Sequence, residues 1–243
     1  MRLWLVILSL IISSQAPAES VWKGYTEEFP PFNFKKDSEI AGVSTEIIRS
    51  LFATEKISAQ IVLLPWAEGF RRAQEEDHSF IFTISRKPER EKLFKWVGPI
   101  LKDTFYLVAL ENSKIRPTSN PLDLRKYKVS GIKGDHPVEF LEHLGFKVQH
   151  IDDDVERYKL MRSGKLDLDI MTEVSQAAYE KLYQLKFKRI TRLYKIDYFV
   201  AFNLKTSPLL VDRLNKNLRQ FRKGKEFKEI YKRYTGSDSP QLY

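Results

Sequence analysis

IVLLPWAEGFRRAQEEDHSFIFTI, residues 61–84, reads as one strand–helix–strand unit. Ile61–Leu64 is a continuous apolar run, the signature of a strand buried on both faces, and Pro65 stops it. Trp66, Phe70 and Ala73 then recur every three or four residues, the spacing of a helix face. Phe80–Ile84 is the next buried strand. Upstream, Val21–Tyr25 reads as a short strand leading into the turn Phe29-Pro30-Pro31-Phe32. Ser44 is a candidate helix cap, after which Ile47, Ile48, Leu51 and Phe52 share one helical face. Downstream, Phe105–Leu110 is a further strand.

The polar stretch Glu111–Pro121 interrupts this series, and a second one follows. Lys128–Ile132 reads as a strand, and Gly134-Asp135-His136-Pro137 as a turn into a helix with Pro137 suited to its first position. Phe146–Ile151 and Leu166–Met171 read as strands. Asp152–Asp154 caps a helix carrying Val155, Tyr158 and Met161, and Val174–Leu185 is helical. Ile196–Leu204 is a strand, and from Pro208 the pattern stays helical until Gly236, a natural stop. Repeated βα units imply parallel sheets with helices on both faces. Two series separated by a polar segment imply two lobes. Ligands of open α/β sheets sit beyond the carboxyl ends of the strands, so facing lobes form one cleft.

Composition narrows the chemistry. The 243 residues are 42% hydrophobic and 30% charged, ordinary for a globular chain. There is no cysteine, hence no thiolate nucleophile, no cysteine-held metal and no lipid on an N-terminal cysteine. His78, His136, His143 and His150 lack metal-ligand spacing, so surface or supporting roles are expected, with no metal and no cofactor. Arg2, the apolar run Leu3–Ile12 and Ala16-Pro17-Ala18 form the pattern of a cleavable signal peptide over residues 1–18. Export to the periplasm as a free, monomeric protein is therefore expected. The formal charge is +9. Nucleic acid is one reason for such a charge, but export and the spread of basic residues argue against that partner. A basic surface steers anions without proving that any binds.

Several segments carry a family resemblance: TEEFPPFNF (Thr26–Phe34), LPWAEGFRRAQ (Leu64–Gln74), SRKPEREKLFKWVGP (Ser85–Pro99), KVSGIKGD (Lys128–Asp135), SGKLDLDIMTE (Ser163–Glu173) and FRKGKEFKEIYKRYTG (Phe221–Gly236). In this order they resemble the bacterial extracellular solute-binding proteins of family 3, the polar amino-acid-binding type. The resemblance implies an α/β, two-lobed periplasmic-binding-protein fold of type II with the ligand cleft between the lobes. The first lobe is discontinuous, residues 19–107 plus 200–243, and residues 108–199 form the second. It implies a small polar ligand bearing a carboxylate, handed to a membrane ABC permease or a membrane receptor.

The resemblance also assigns roles. Arg90, after the turn Lys87-Pro88-Glu89, is placed to pair with the ligand carboxylate, for which a guanidinium offers two parallel donors. The competing reading is a surface arginine paired with Glu89 or Glu91. Thr83 and Ser85 are placed against the same carboxylate, or else bond their own loop. Phe29 and Trp66 are candidates for an aromatic wall, and Phe32 for the core. Gly134, Asp135 and His136 precede a helix whose free N–H groups suit an anion. Asp135 is equally suited to a plain cap, and its charge would repel an anion. Family members that hold α-amino acids place an aspartate at position 172, where this chain has Thr172 followed by Glu173. Glu173 supplies the missing charge if it points inward, or simply begins the next helix. Two alternatives stay open: a cyclohexadienyl-dehydratase-like enzyme with Glu173 as proton carrier, and a stand-alone sensory module.

Overall fold

The structure, a computed structural model, describes residues 21–237, so the expected signal peptide lies outside the described residues. The first series comprises β1 (Trp22–Thr26), β2 (Phe34–Lys36), β3 (Glu39–Ala41), α1 (Val43–Thr54), β4 (Ala59–Leu63), α2 (Trp66–Glu75) and β5 (Ser79–Ser85). A long strand, β6 (Lys95–Leu110), leads to the second: β7 (Val129–Gly131), α3 (His136–His143), β8 (Val148–His150), α4 (Asp154–Arg162), β9 (Asp169–Thr172) and α5 (Ser175–Tyr183). A second long strand, β10 (Phe187–Phe202), returns, and α6 (Pro208–Phe221) and α7 (Lys225–Thr235) follow. Gly236 ends α7 in the left-handed region, as expected of a C-terminal glycine.

The main sheet has the order β4-β1-β5-β10-β6-β9. β1 is parallel to β4 and β5, but β10 is antiparallel to both β5 and β6, and β6 to β9. The expectation of wholly parallel sheets is thus corrected to a mixed sheet. A strand that leaves one half and a strand that returns to it must run in opposite directions. β7 and β8 form a parallel pair, and a bridge from Val129 to Leu168 ties them to the chain just before β9.

β6 and β10 have 16 residues each, on the order of 50 Å at strand rise. One end of the pair packs Val97, Ile100, Val200 and Phe202 against residues of α1, α6 and α7. The other end packs Leu107, Ala109 and Ile190 with Val129, Leu141 and Leu168. Both strands therefore serve two cores, and the pair forms the connection between two halves. The apolar runs in the sequence marked only parts of each. The missed stretches carry Lys102-Asp103-Thr104, where β6 passes between the cores, and Lys188-Arg189, at the far end of β10 opposite Ala109 and Val108.

The start of α1 differs from expectation. Ser44 is not its cap; it is fully buried inside the first turn. Gly42 precedes the helix at φ 125°. The chain runs so close there that a Cβ on Gly42 would stand 2.2 Å from the Phe32 carbonyl oxygen. The free amides of Val43 and Ser44 instead donate to the carbonyls of Pro31 and Phe32 at 2.9 Å. The Pro-Pro loop does the work of a capping side chain. Asp153 does cap α4, accepting from Glu156 N at 3.0 Å.

Candidate functional site

The cavity between the halves is lined on one side by the carboxyl end of β5. On β10, Phe199 and Val200 face Ile84 and Phe82, so Thr83 is an extra residue in β5. It adopts φ 60°, an uncommon conformation for a β-branched residue. Such a bulge re-aims side chains. Phe82 packs in one core layer and Ile84 in another, while Thr83 turns to the cavity. Its hydroxyl donates to Asn33 Oδ1 at 2.6 Å, and Asn33 Nδ2 donates to the Glu27 carbonyl at 2.5 Å.

Arg90 stands on the 3-10 turn Pro88–Arg90 and is 5% exposed. Its Nη1 donates to Ser85 Oγ at 3.0 Å. Its Nη2 reaches the opposite half, donating to the Gly134 carbonyl at 3.3 Å. The guanidinium lies 4.9 Å from the Trp66 ring centroid and 5.4 Å from that of Phe70, a stacked cation. Arg90 is thus not a surface residue, and Glu91 is bonded by Arg86 instead. Burial pulls the Arg90 pKa below its ordinary value, while Asp135, Glu139, Glu89 and Glu27 push it back up. The group remains a cation. Phe29 completes this wall, tilted at 41° against the fully buried Phe32 with centroids 4.8 Å apart.

The other half contributes the start of α3. Asp135 caps it, accepting from His136 N at 2.7 Å, and also lines the cavity. The His136 ring lies 5.0 Å from that of Tyr194. Burial pushes the Asp135 pKa up to about 6, against the His136 amide and the Arg90 charge. Burial pulls that of His136 down, as do Lys87 and Arg90. Gly134 meets Arg90 through its carbonyl. The first amides of α3 are already engaged, His136 N by the Asp135 carboxylate and Val138 N by the Asp135 carbonyl.

Glu27 lies in the Thr26–Phe34 segment without a role of its own, and Arg157, Tyr179 and Tyr198 carry no sequence signal, yet all four line the cavity. Glu27 is held well above the ordinary carboxylate range by burial and by Asp135, with Arg157 and Arg90 opposing. Arg157, on α4, is bonded by Asp154 and lies 3.4 Å from Asp169 Oδ1. Tyr198 is 3% exposed, and its hydroxyl has no partner among the described residues. Only the fold brings these residues together.

Two expected site residues lie elsewhere. Thr172 Oγ1 accepts from Ser175 N at 3.0 Å, so it caps α5 and is buried away from the cavity. Glu173 turns outward, its Oε1 accepting from Arg189 Nη1 at 3.0 Å, with both side chains 37% exposed. Neither lines the cavity. Where β9 gives way to α5, the cap claims the threonine and the facing strand supplies a cation for the glutamate. Among the described residues no acid–histidine group could hold a metal, and no helix is long and apolar enough to cross a membrane.

Two α/β halves joined by a pair of crossing strands, with charged groups of both halves around one cavity, define a type II periplasmic-binding-protein fold. The chain belongs to the bacterial extracellular solute-binding proteins, family 3, whose model matches residues 23–237. A comparison with curated proteins finds no sequence match. Among solved structures it is similar to the arginine-, lysine-, histidine-binding protein ArtJ from Geobacillus stearothermophilus (TM-score 0.79, 19% identity, covering 91% of this chain and 97% of that one). It is equally similar to a histidine kinase sensor domain (0.79, 19%, 89% and 96%). The ancestral amino acid-binding protein AncCDT-1, a precursor of cyclohexadienyl dehydratase, follows at 0.77 and 17% (89% and 96%). At these identities the likeness fixes the fold; ligands must be argued from the side chains.

Proposed function

We propose that this chain is a solute-binding protein of the periplasm that closes around a small carboxylate-bearing ligand and presents it to a membrane transporter or receptor. The observation that carries this reading is Arg90. Its guanidinium is buried between the halves, stacked on Trp66, supported by Ser85 and in contact with the other half at Gly134. A fixed planar cation in a desolvated cleft is suited to a carboxylate. Thr83, Ser85, Phe29 and Trp66 complete the first wall, and Asp135 and His136 face them. The division into residues 19–107 plus 200–243 and residues 108–199 accords with strands that serve two cores. Hinge closure is the expected motion, driven by whatever extra contacts the ligand makes in the closed form. ArtJ and AncCDT-1 lend support as binders of amino acids on this fold. Export by a cleaved leader and a monomeric state belong to the same proposal. The dehydratase alternative rested on Glu173, whose carboxylate is engaged by Arg189 on the surface.

The test is a thermal-shift screen with amino acids, keto acids and small dicarboxylates, since a ligand that binds only the folded state raises Tm. Arg90→Ala is expected to abolish every shift found. A shift that survives the substitution removes Arg90 from the site.

A further inference from the structure

The excess charge of this protein sits on α6 and α7. Residues 205–233 hold ten Lys and Arg against three acids, a net +7, whereas residues 21–107 hold thirteen of each sign and balance. Basic residues occur along the whole chain; what is uneven is the supply of acids to offset them. Both helices turn one side to the core that they share with α1, through Val211, Leu214 and Leu218 of α6 and Phe227, Ile230 and Tyr231 of α7. Their charges are left on the outward side, and the acids nearby are already engaged. Glu55 and Glu46 of α1 pair with Arg213 and Arg233, Glu229 pairs with Lys225, and Glu226 accepts from Ser50 Oγ at 2.6 Å. Lys216, Arg219, Lys223 and Lys228 are exposed and have no hydrogen bond or ion pair among the described residues. Asp212 is the one acid on the outward side of α6.

Arg219 and Lys223 follow Lys216 by three and seven residues, so the three bases form one stripe along α6 and the corner after it, about 10 Å long. Leu209 heads the same stripe, seven residues before Lys216. It is 70% exposed, and Leu204, on the turn before α6, is 50% exposed. Bases on an outward helix face, with leucine protruding beside them, are the make-up of a helix that lies on a membrane surface. A convex row of separate cations offers no cradle to a single small anion; it matches a plane of many. A second copy of this chain would bring the same positive face and be repelled. The chain belongs to an extracellular family, which puts a bilayer within its reach and nucleic acid outside it. We propose that the outward face of α6 and the α6–α7 corner dock on the anionic headgroups of a bilayer, holding the first half against the membrane. The negative potential of such a surface attracts each free base. Residues 108–199 hold seventeen bases against fourteen acids, so the second half is drawn down less and stays free to swing. The proposal does not depend on the Arg90 reading.

The experiment is co-sedimentation with vesicles of phosphatidylcholine alone and of phosphatidylcholine and phosphatidylglycerol in equal parts. It uses the chain without residues 1–18, whose apolar run Leu3–Ile12 would bind any bilayer by itself; the cores all lie within residues 21–237. Binding to the mixed vesicles alone is expected, and it should be lost as salt rises from about 0.05 to 0.5 M. One variant combines Lys216→Gln, Arg219→Gln and Lys223→Gln. It should bind about a hundredfold more weakly, or about fivefold for each base. Its Tm should match that of wild type, since none of the three side chains has a partner to lose among the described residues. A control variant combines Lys126→Gln, Lys147→Gln and Lys165→Gln, exposed bases of the second half, with the same loss of charge. It should bind within about twofold of wild type. Equal weakening in both variants would assign the binding to net charge and overturn the docking face. So would a wild type that ignores the mixed vesicles or takes both kinds alike. Inorganic phosphate at matched ionic strength should displace nothing; if it releases the protein, the face serves a free anion and the membrane proposal falls.

Discussion

In the middle of β6 the carboxylate of Asp103 is 1% exposed. It accepts from Thr104 N at 2.7 Å and from Val174 N at 3.3 Å. Burial pushes its pKa up to about 6 in spite of these bonds. An unfolded aspartate titrates near 4, by the usual ~3.9. Between those values the folded chain holds a proton that the unfolded chain has lost, so stability falls as pH rises through this window and is level above it. Asp103→Asn keeps an acceptor and carries no charge. It is expected to raise Tm by about 5 °C at pH 8 and to give no gain at pH 4; equal gains at both would assign the effect to packing. Single residues were unequally legible. Arg90 could be singled out because a contiguous turn precedes it and the family resemblance fixed its role. Glu27 sits in the Thr26–Phe34 segment with nothing to single it out there, Arg157 sits in no motif, and nothing local marks Asp103, which lies outside the apolar run. The family resemblance alone places Thr172 and Glu173 in the cleft. Their side chains obey the helix that starts beside them.

Secondary elements were more readable, for a physical reason. Helices α1, α6 and α7 bury a stripe, and a stripe is periodic in sequence; Ile47, Ile48, Leu51 and Phe52 are buried as their spacing foretold. Strands β6 and β10 change their surroundings along their length, so no single pattern marks them, and the apolar runs cover only part of each. The bulge at Thr83 is likewise invisible in an apolar run. The Pro30-Pro31 loop reads as a turn in sequence, but its capping of α1 depends on Gly42. Gly42→Ala would force a Cβ against the Phe32 carbonyl at a φ that L-residues rarely adopt. A loss of more than about 2 kcal/mol is expected. It should be read in urea as a lower midpoint with unchanged slope; an unchanged midpoint would mean that the helix start relaxes freely.

Across the whole molecule, two side chains of the first half reach over the cleft, Arg90 to the Gly134 carbonyl and Lys87 to Glu139. The side chains of Lys87 and Glu139 are 14% and 35% exposed, so the pair is partly shielded and contributes about 1 kcal/mol. Glu139→Gln removes the charge with little change in shape. The closed population should fall, enlarging the radius of gyration in small-angle scattering and weakening whatever ligand the screen finds by up to about fivefold. If radius and affinity are both unchanged, the pair is decoration on a closure set by other contacts.

The two connections between the halves are not separate cords. β6 and β10 are laddered together through both cores, with register shifts between Arg192 and Tyr194 and between Tyr198 and Val200 bracketing the segment opposite Asp103. A two-stranded ribbon flexes across its flat face and resists shear in its own plane, and irregular pairing lowers the stiffness locally. For the proposed closure, a swing about one axis is therefore expected, much as a book opens along its spine, with little added twist between the outer covers. A membrane partner reading both covers at once would sense the angle of the spine alone.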